Sequence, residues 1–477
     1  MAEGQADIAG ACPGGGGGVD RISGLPDHLL HSILLLIPGG TAADAARTSV
    51  LSRRWRHVWA HLPELALRYR EASYARAHRH VDAALAAYAA PTVRRLEITV
   101  PYGSPHLTAG RLSSWLRFAA LRLAGGGALR LSAPHDVPDG DTEELLLPVW
   151  ETVTSISLDF LFSSRTLRFR LLPGGAAAFT ALAFLKIRNA RVGGRELEHV
   201  LSSRCPGLTE LVLERVSLRE GDDDVVLSIR SASLQRLQMD SGDFAGLLRV
   251  ATPELQVLTL HCIHGDAYIA APKLSELYWG EPFYDPSRHR FAETTARHLR
   301  RMMVATGSPT MALMERFDIV GELDMTLYVR QGVHRYEKLL EETSRLARCE
   351  VLVLKFAVVK HDFKPIMVHL LQQCAGIRKL VVEFTFKMGD RPCKLWGCPC
   401  GRIENRKTNR VVLRSLERVE VKGGGEAEHE AELVRMLCKC HATFKKKVSI
   451  SVRTTYTLRQ ISRIVPPNDK YEVTSCE

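Results

Sequence analysis

The sequence predicts an α/β chain: a small helical unit, then a solenoid of short strands and return segments, closed by a strand-helix-strand unit. Three observations carry that reading. Apolar residues with helical spacing run through residues 26–59. A pattern of apolar-x-x-apolar-x-apolar recurs ten times between residues 93 and 382. Residues 411–452 then read once more as strand, helix, strand.

Residues 1–19, with Pro13 and Gly14 to Gly18, carry no apolar periodicity and are expected to form a disordered tail. They lack a basic stretch followed by an apolar core, so no secretory signal is expected. Helical signals begin after Asp20. Pro26 suits a first turn, because its missing N–H would be unpaired there. Leu30, Ile33, Leu34 and Ile37 fall at i, i+3, i+4 and i+7 on one stripe. Pro38, Gly39 and Gly40 end that helix, and Thr41 with Asp44 has capping-box spacing for a second. A third segment puts Leu51, Trp55, Val58 and Trp59 on one face, with Arg53, Arg54 and Arg56 interleaved. Residues 20–65 cannot readily bury two stripes and two indoles alone, so an apolar face is left for another surface.

A helical linker is expected over residues 66–91, where Val81, Leu85 and Tyr88 share a face and Pro91 stops it. The recurrent pattern follows, at Val93-Leu96-Ile98, Val153-Ile156-Leu158, Leu182-Leu185-Ile187, Leu208-Leu211-Leu213, Leu234-Leu237-Met239, Leu255-Leu258-Leu260 and Leu274-Leu277-Trp279. Later instances are Met314-Phe317-Ile319, Cys349-Leu352-Leu354 and Ile377-Leu380-Val382. Units opening at residues 182, 208, 234, 255 and 274 are 26, 26, 21 and 19 residues apart, close to the leucine-rich-repeat range of about 20–29. One such unit cannot bury its apolar face, and stacked neighbours share a continuous core. Between Pro282 and Phe386, helices are expected at Phe291 to Val304 and His334 to Arg348, each leading to a strand. The segment from Phe363 to Phe386 repeats that order. Strands should line the concave side and helices the convex side.

Val411 to Val421 reads as a strand stopped by Gly423 to Gly425. In the following helix Leu433, Met436, Leu437 and Cys440 share a face, and Glu426, Glu428, Glu430 and Glu432 load the N-terminal half, where the macrodipole favours anions. Lys445 to Lys447 precede a strand at Val448 to Val452.

The 477 residues are 45% hydrophobic and 25% charged, a globular balance, with no apolar run near the about 20 residues a membrane span takes. Eleven scattered cysteines do not form a disulfide framework and point to a reducing compartment, cytoplasm or nucleus. The net charge of +11 is spread through the chain without a nucleic-acid-binding motif, so neither a nucleic acid nor a membrane is expected as a partner.

Leu25-Pro26-Asp27, Leu30, Ile33-Leu34, Thr48-Ser49-Val50-Leu51-Ser52-Arg53-Arg54-Trp55-Arg56 and Trp59 together resemble an F-box of the plant type, with Ile37 to Gly40 departing from the longer polar residues usual there. The middle region resembles the irregular leucine-rich repeats that follow plant F-boxes, and residues from about 390 to 453 resemble the FBD module. The resemblance implies a three-helix F-box at 20–65, a helical linker at 66–91, leucine-rich repeats at 92–386, an FBD module at 387–455 and a tail at 456–477. It implies a Skp-type adaptor as partner, met by Leu25, Pro26, Leu30, Ile33, Leu34, Val50, Leu51, Trp55 and Trp59 as adaptor-facing or F-box-core positions. It further implies a non-catalytic, substrate-recognition subunit of an SCF-type ubiquitin ligase, with an unknown protein target on the repeat arc. Repeat geometry nominates Gln235, Gln238, Gln256, Thr259, Glu276 and Tyr278 for that target. The alternative is a leucine-rich-repeat protein-binding scaffold independent of ubiquitination.

Cys393, Cys398 and Cys400, with Cys438, Cys440 and His441, invite zinc, but C-x4-C-x-C is an uncommon zinc spacing. The reading favours buried or loop thiols, with no metal and no cofactor. His261, His264 and Asp266 fall where a repeat strand ends, without a further ligand or nucleophile motif, and read as a solvated loop. Asp222 to Asp224 reads as a polar turn and Lys445 to Lys447 as a solvated approach to a strand. No phosphate-loop, nucleophile-elbow, zincin or dinucleotide motif is present, and no catalytic residue is expected.

Overall fold

The structure, a computed structural model, describes residues 22, 24–37, 42–51, 53–68, 76–101, 107–133, 144–160, 165–169, 179–218, 226–244, 246–280, 284–306, 310–359, 361–374, 376–384, 397–401, 411–423, 427–440, 443–452, 458–459, 461 and 468–475. The expected N-terminal tail and the Asp222 to Asp224 turn lie outside these.

Among the described residues, sixteen parallel strands run side by side in chain order. They are Glu64–Arg68, Val93–Thr99, Leu123–Ser132, Ser155–Asp159, Phe184–Val192, Glu210–Ser217, Arg236–Phe244, Val257–Ile263, Glu276–Trp279, His298–Ala305, Ile319–Val329, Arg348–Val359, Lys379–Phe384, Arg418–Gly423, Val448–Val452 and Tyr471–Ser475. Two short strands, Glu144–Leu147 and Arg165–Phe169, pair beside the far end of Phe184–Val192. The register puts one apolar residue of each unit in a single row. That row runs Leu65, Leu96, Leu129, Ile156, Leu185, Leu211, Leu237, Leu258 and Leu277. It continues through Met302, Leu323, Leu352, Leu380, Val419, Ile450 and Val473. From Leu65 to Ile450 every member is buried, each contributing about 1.5–3 kcal/mol of burial. This row is the physical meaning of the recurrent middle apolar position.

Three expectations need correcting. Phe291 to Val304 is not a helix: His289–Phe291 and His298–Ala305 are strands, the latter flanked on both sides by sheet neighbours. Ladder hydrogen bonds and the burial of Leu299, Met302 and Val304 outweigh the helix propensity of an Ala- and Arg-rich run. The pattern at Met314-Phe317-Ile319 is out of register, since Thr310–Arg316 is a helix and Val320, Leu323 and Met325 occupy the strand positions. Nor is the side opposite the main sheet helical throughout. Helices Ala77–Ala87, Ala109–Arg122, Gly194–Ser203, Val333–Glu342, Phe363–Gln373 and Ala427–Lys439 serve the earlier and later units. Between them Val226–Arg230, Leu247–Ala251, Asp266–Ala270 and His289–Phe291 form a second parallel sheet. These return segments carry strands of three to five residues, which cross the layer in fewer residues than a helix needs.

The boundaries shift at both ends. Glu64–Arg68 already pairs with Val93–Thr99, and the helix Ala77–Ala87 buries Val81 and Leu85 in the repeat core, as does Tyr88 just after it, so this segment packs as the first repeat rather than as a linker. At the other end the strand-helix-strand unit forms, but Tyr471–Ser475 adds one more strand beyond it.

Candidate functional site

The N-terminal residues fold as a separate small unit. Helix Asp27–Leu36 is followed by the short helix Ala42–Arg47, a 3-10 turn Thr48–Val50, a single helical turn Trp55–Val58 and another 3-10 turn Trp59–His61. The expected third helix is therefore a broken run of turns. Leu30, Leu34, Ala45, Trp55, Val58 and Leu62 make a core of their own, with Leu25, Ile37 and Trp59 packed half-buried against it. Two polar contacts close the unit. Arg54 Nη2 donates to Asp27 Oδ1 at 2.5 Å, and the Arg54 hydrogen bond holds the Asp27 carboxyl below its ordinary pKa. His31 Nε2 meets the carbonyl of Val58 at 3.2 Å, and since a carbonyl only accepts, this nitrogen carries the proton.

The unit is fastened to the first repeat by backbone. Ala89 N and Ala90 N donate to Ala60 O at 2.9 and 3.2 Å, and Arg94 N donates to Pro63 O at 2.7 Å. Tyr88 Oη donates to Leu62 O at 2.7 Å, and burial pushes its pKa up to about 12.

The nine residues nominated from sequence thus divide. Leu30, Leu34 and Trp55 are internal, Leu25 and Trp59 sit at the rim, and Pro26, Ile33, Val50 and Leu51 face solvent. Val50 is 87% exposed and Leu51 63%. Leu29, Leu35 and Leu36 join them on the surface, and sequence reasoning passed over these three because they lie off the inward stripe. Seven of the fourteen large apolar residues exposed among the described ones lie between Ile22 and Leu51, a concentration that scattered surface residues do not produce. These exposed apolar side chains are carried on a small unit with a core of its own.

On the main sheet, register places Gln238, Thr259 and Tyr278 in one cross-strand row and Glu276 two positions earlier, opposite Val257, while Gln235 and Gln256 come just before their strands. Several already have partners within the chain. Gln238 Nε2 donates to Glu214 Oε1 at 3.2 Å, Arg300 pairs with Glu276, and Tyr278 lies 4.5 Å from the His261 ring. A cleft of roughly 440 Å³ lies further towards the N-terminus on the sheet, lined by Arg95, Glu97, Arg130, Ser157, Asp159 and Lys186 among others. Ion pairs across strands order it. Arg68 binds Glu97 bidentately at 2.9 and 2.7 Å, and Arg188 reaches Asp159 at 3.4 Å and Glu214 at 3.3 Å. Sequence could have marked this cleft only by charged residues alternating with the repeat's apolar positions.

His261, His264 and Asp266 do not converge: His264 is exposed and Asp266 pairs with Arg288 at 2.9 Å. Lys446 and Lys447 are exposed and pair with Glu417 and Glu472, each at 2.8 Å. Among the described residues no helix is long and apolar enough to cross a membrane. Of the cysteine candidates, Cys393 and His441 lie outside the described residues, Cys440 Sγ, just past the helix Ala427–Lys439, faces Met436 O, and Cys398 and Cys400 are buried beside His361.

Residues 112–312 match the family model described as FBD-associated F-box protein At5g56370, LRR repeats. The chain is 28% identical over 245 residues to F-box protein At5g03100 of Arabidopsis thaliana, covering 51% of this chain and 71% of that protein. Putative FBD-associated F-box protein At5g56390 of the same plant is 23% identical over 446 residues, 91% of this chain and 92% of the relative. Putative FBD-associated F-box protein At5g56440, also from Arabidopsis thaliana, is 29% identical over 255 residues, 51% and 54% of the two lengths.

Proposed function

Because the repeats of this chain are those of the FBD-associated F-box family, and its relatives are F-box, leucine-rich-repeat and FBD proteins, we propose that it is a substrate-recognition subunit of an SCF-type ubiquitin ligase in the cytoplasm or nucleus. The N-terminal unit docks on a Skp-type adaptor through Pro26, Leu29, Ile33, Leu35, Leu36, Val50 and Leu51, with Leu25 and Trp59 at the rim. Leu30, Leu34 and Trp55 hold that surface in shape from beneath. The sheet presents a protein target, with the charged cleft around Glu97 and Arg130 as its most structured surface.

The observation that carries this reading is the exposed apolar patch. Water-facing Leu, Ile and Val side chains on a unit with its own closed core call for a partner, each contributing about 1.5–3 kcal/mol when fully covered. Catalysis then needs no reacting group in this chain. Tethering a target beside a charged ubiquitin-conjugating enzyme raises its effective concentration and makes the encounter intramolecular.

The test is capture of a plant Skp-type adaptor by the full chain. Leu25→Ala with Pro26→Ala, and separately Val50→Asp with Leu51→Asp, should abolish capture while the repeats stay folded by circular dichroism. Adaptor binding at the wild-type level by both double variants would refute the assignment. A chain that stays monodisperse without adaptor and captures none would favour the ligase-independent scaffold.

A further inference from the structure

Far from the apolar patch, at the later repeats, three metal-ligating side chains from two distant segments meet in a buried place. His361 lies between the strand Arg348–Val359 and the helix Phe363–Gln373, and Cys398 and Cys400 flank the start of the 3-10 turn Pro399–Gly401. All three are buried, His361 and Cys398 4% exposed and Cys400 1%. Cys398 Sγ is 3.4 Å from His361 Nδ1 and 3.2 Å from Cys400 Sγ, and the three donor atoms lie within 4.8 Å of one another.

We propose that His361, Cys398 and Cys400 bind one zinc ion, joining the Cys398–Cys400 turn to the repeat core. The donor set suits a borderline-soft cation. Thiolate and imidazole at about 2.3 and 2.0–2.1 Å from zinc define a tetrahedron with S···S near about 3.8 Å and S···N near about 3.5 Å. Two of the three separations, 3.2 and 3.4 Å, lie within about 0.6 Å of that geometry, and the third, at most 4.8 Å, closes by up to about 1.3 Å when the ion is held. The ring is also presented in the form a ligand needs. His361 Nε2 meets the carbonyl of Arg330 at 3.1 Å, which places the proton on Nε2 and leaves the Nδ1 lone pair towards Cys398 Sγ at 3.4 Å. A carbonyl hydrogen bond on the distal nitrogen is the usual support of a zinc-bound histidine. Gly397, at φ +76°, supplies the left-handed turn into Cys398 that a side chain would strain.

The balance is simple. Zinc enters as a dication, Cys398 and Cys400 each release a proton to solvent, and two thiolates with a neutral imidazole cancel the ion's charge. A buried, net-neutral centre avoids the desolvation cost of an isolated ion. Among the described residues three donors meet there, one short of the four that a tetrahedral zinc takes. The proposal is independent of ubiquitin ligase function, because no residue of the N-terminal unit takes part.

The experiment is elemental analysis of full-length protein purified without chelator, with cobalt replacement read by absorption. About one zinc per chain is expected, and the cobalt form should show thiolate-to-metal charge transfer together with intense tetrahedral d–d bands. Cys398→Ser should lose the charge-transfer intensity of one sulfur and most of the bound metal. His361→Asn should retain both thiolates but shift the d–d bands and weaken metal retention at least tenfold against a competing chelator. Should Cys398→Ser fail to fold, the wild-type zinc content and cobalt spectrum still decide. Wild-type protein that retains no zinc after loading and shows no charge-transfer band would overturn the site. A Cys398–Cys400 disulfide in freshly purified, reducing-buffer protein would also overturn it, as would full metal retention by His361→Asn.

Discussion

The N-terminal helical unit and the repeat sheet solve the same burial problem in opposite ways. The helical unit closes a core of six residues and leaves comparably large apolar side chains in water. The sheet passes one row of apolar side chains through sixteen strands, so each unit's exposed face becomes the next unit's interior. The difference teaches where stability and binding reside. The solenoid is stabilised by repetition, whereas the small unit is marginal alone and gains from whatever covers it.

The contrast makes graded predictions. Trp55→Ala empties the largest side chain of the small core and should cost about 3–5 kcal/mol locally. Hydrogen exchange should show the segment 24–62 opening while strands such as Lys379–Phe384 keep their protection. A global loss of protection would mean that the two regions are one cooperative unit. Leu323→Ala, in the middle of the row, should cost about 2–5 kcal/mol of repeat stability and lower the main melting transition. Adaptor capture should survive that change, and its loss would tie the patch to the arc.

Val50→Asp with Leu51→Asp should move stability by less than about 0.5 kcal/mol, as expected of exposed sites. The binding effect should instead be tenfold or more, about 1.4 kcal/mol or above, read by calorimetry against purified adaptor. The smallest effect is expected at Glu97, whose pKa is lowered chiefly by its hydrogen bonds to Arg68. A carboxylate with a depressed folded pKa adds stability above its unfolded value of about 4.3 and loses it as pH falls through the folded value. Acid titration of unfolding should therefore show Glu97→Gln less stable than wild type near neutrality by about 1 kcal/mol or less. That gap should close as pH falls through the lowered folded value, where the wild-type carboxylate is protonated too.

Much of the architecture was legible because repetition is visible in one dimension. Leu185, Leu211, Leu237, Leu258 and Leu277 were read as equivalent and lie in one row. The helices Val333–Glu342 and Phe363–Gln373 carried clear apolar faces and formed, though the first stops at Glu342 rather than Arg348, which opens a strand. His298–Ala305 misled because its composition suits a helix while its neighbours on both sides require a strand. The four strands of the second sheet span three to five residues each, too short for a period to separate them from loops. In the candidate docking unit the sequence could nominate Leu30, Leu34, Trp55, Ile33, Val50 and Leu51 together. Their separation into core and surface needed the angle at which the segment after residue 42 returns against the first helix.

Periodicity, turn residues and apolar spacing are local properties, and they alone determined that this chain stacks repeating strands behind a greasy helical head. Only the tertiary structure decided which greasy residues stay wet, that Tyr471–Ser475 extends the sheet, and that His361 meets Cys398 across 37 residues of chain. The reason is physical. A strand's or helix's period is written in neighbouring residues, whereas burial and encounter depend on how separate segments return to one another, which no single segment encodes.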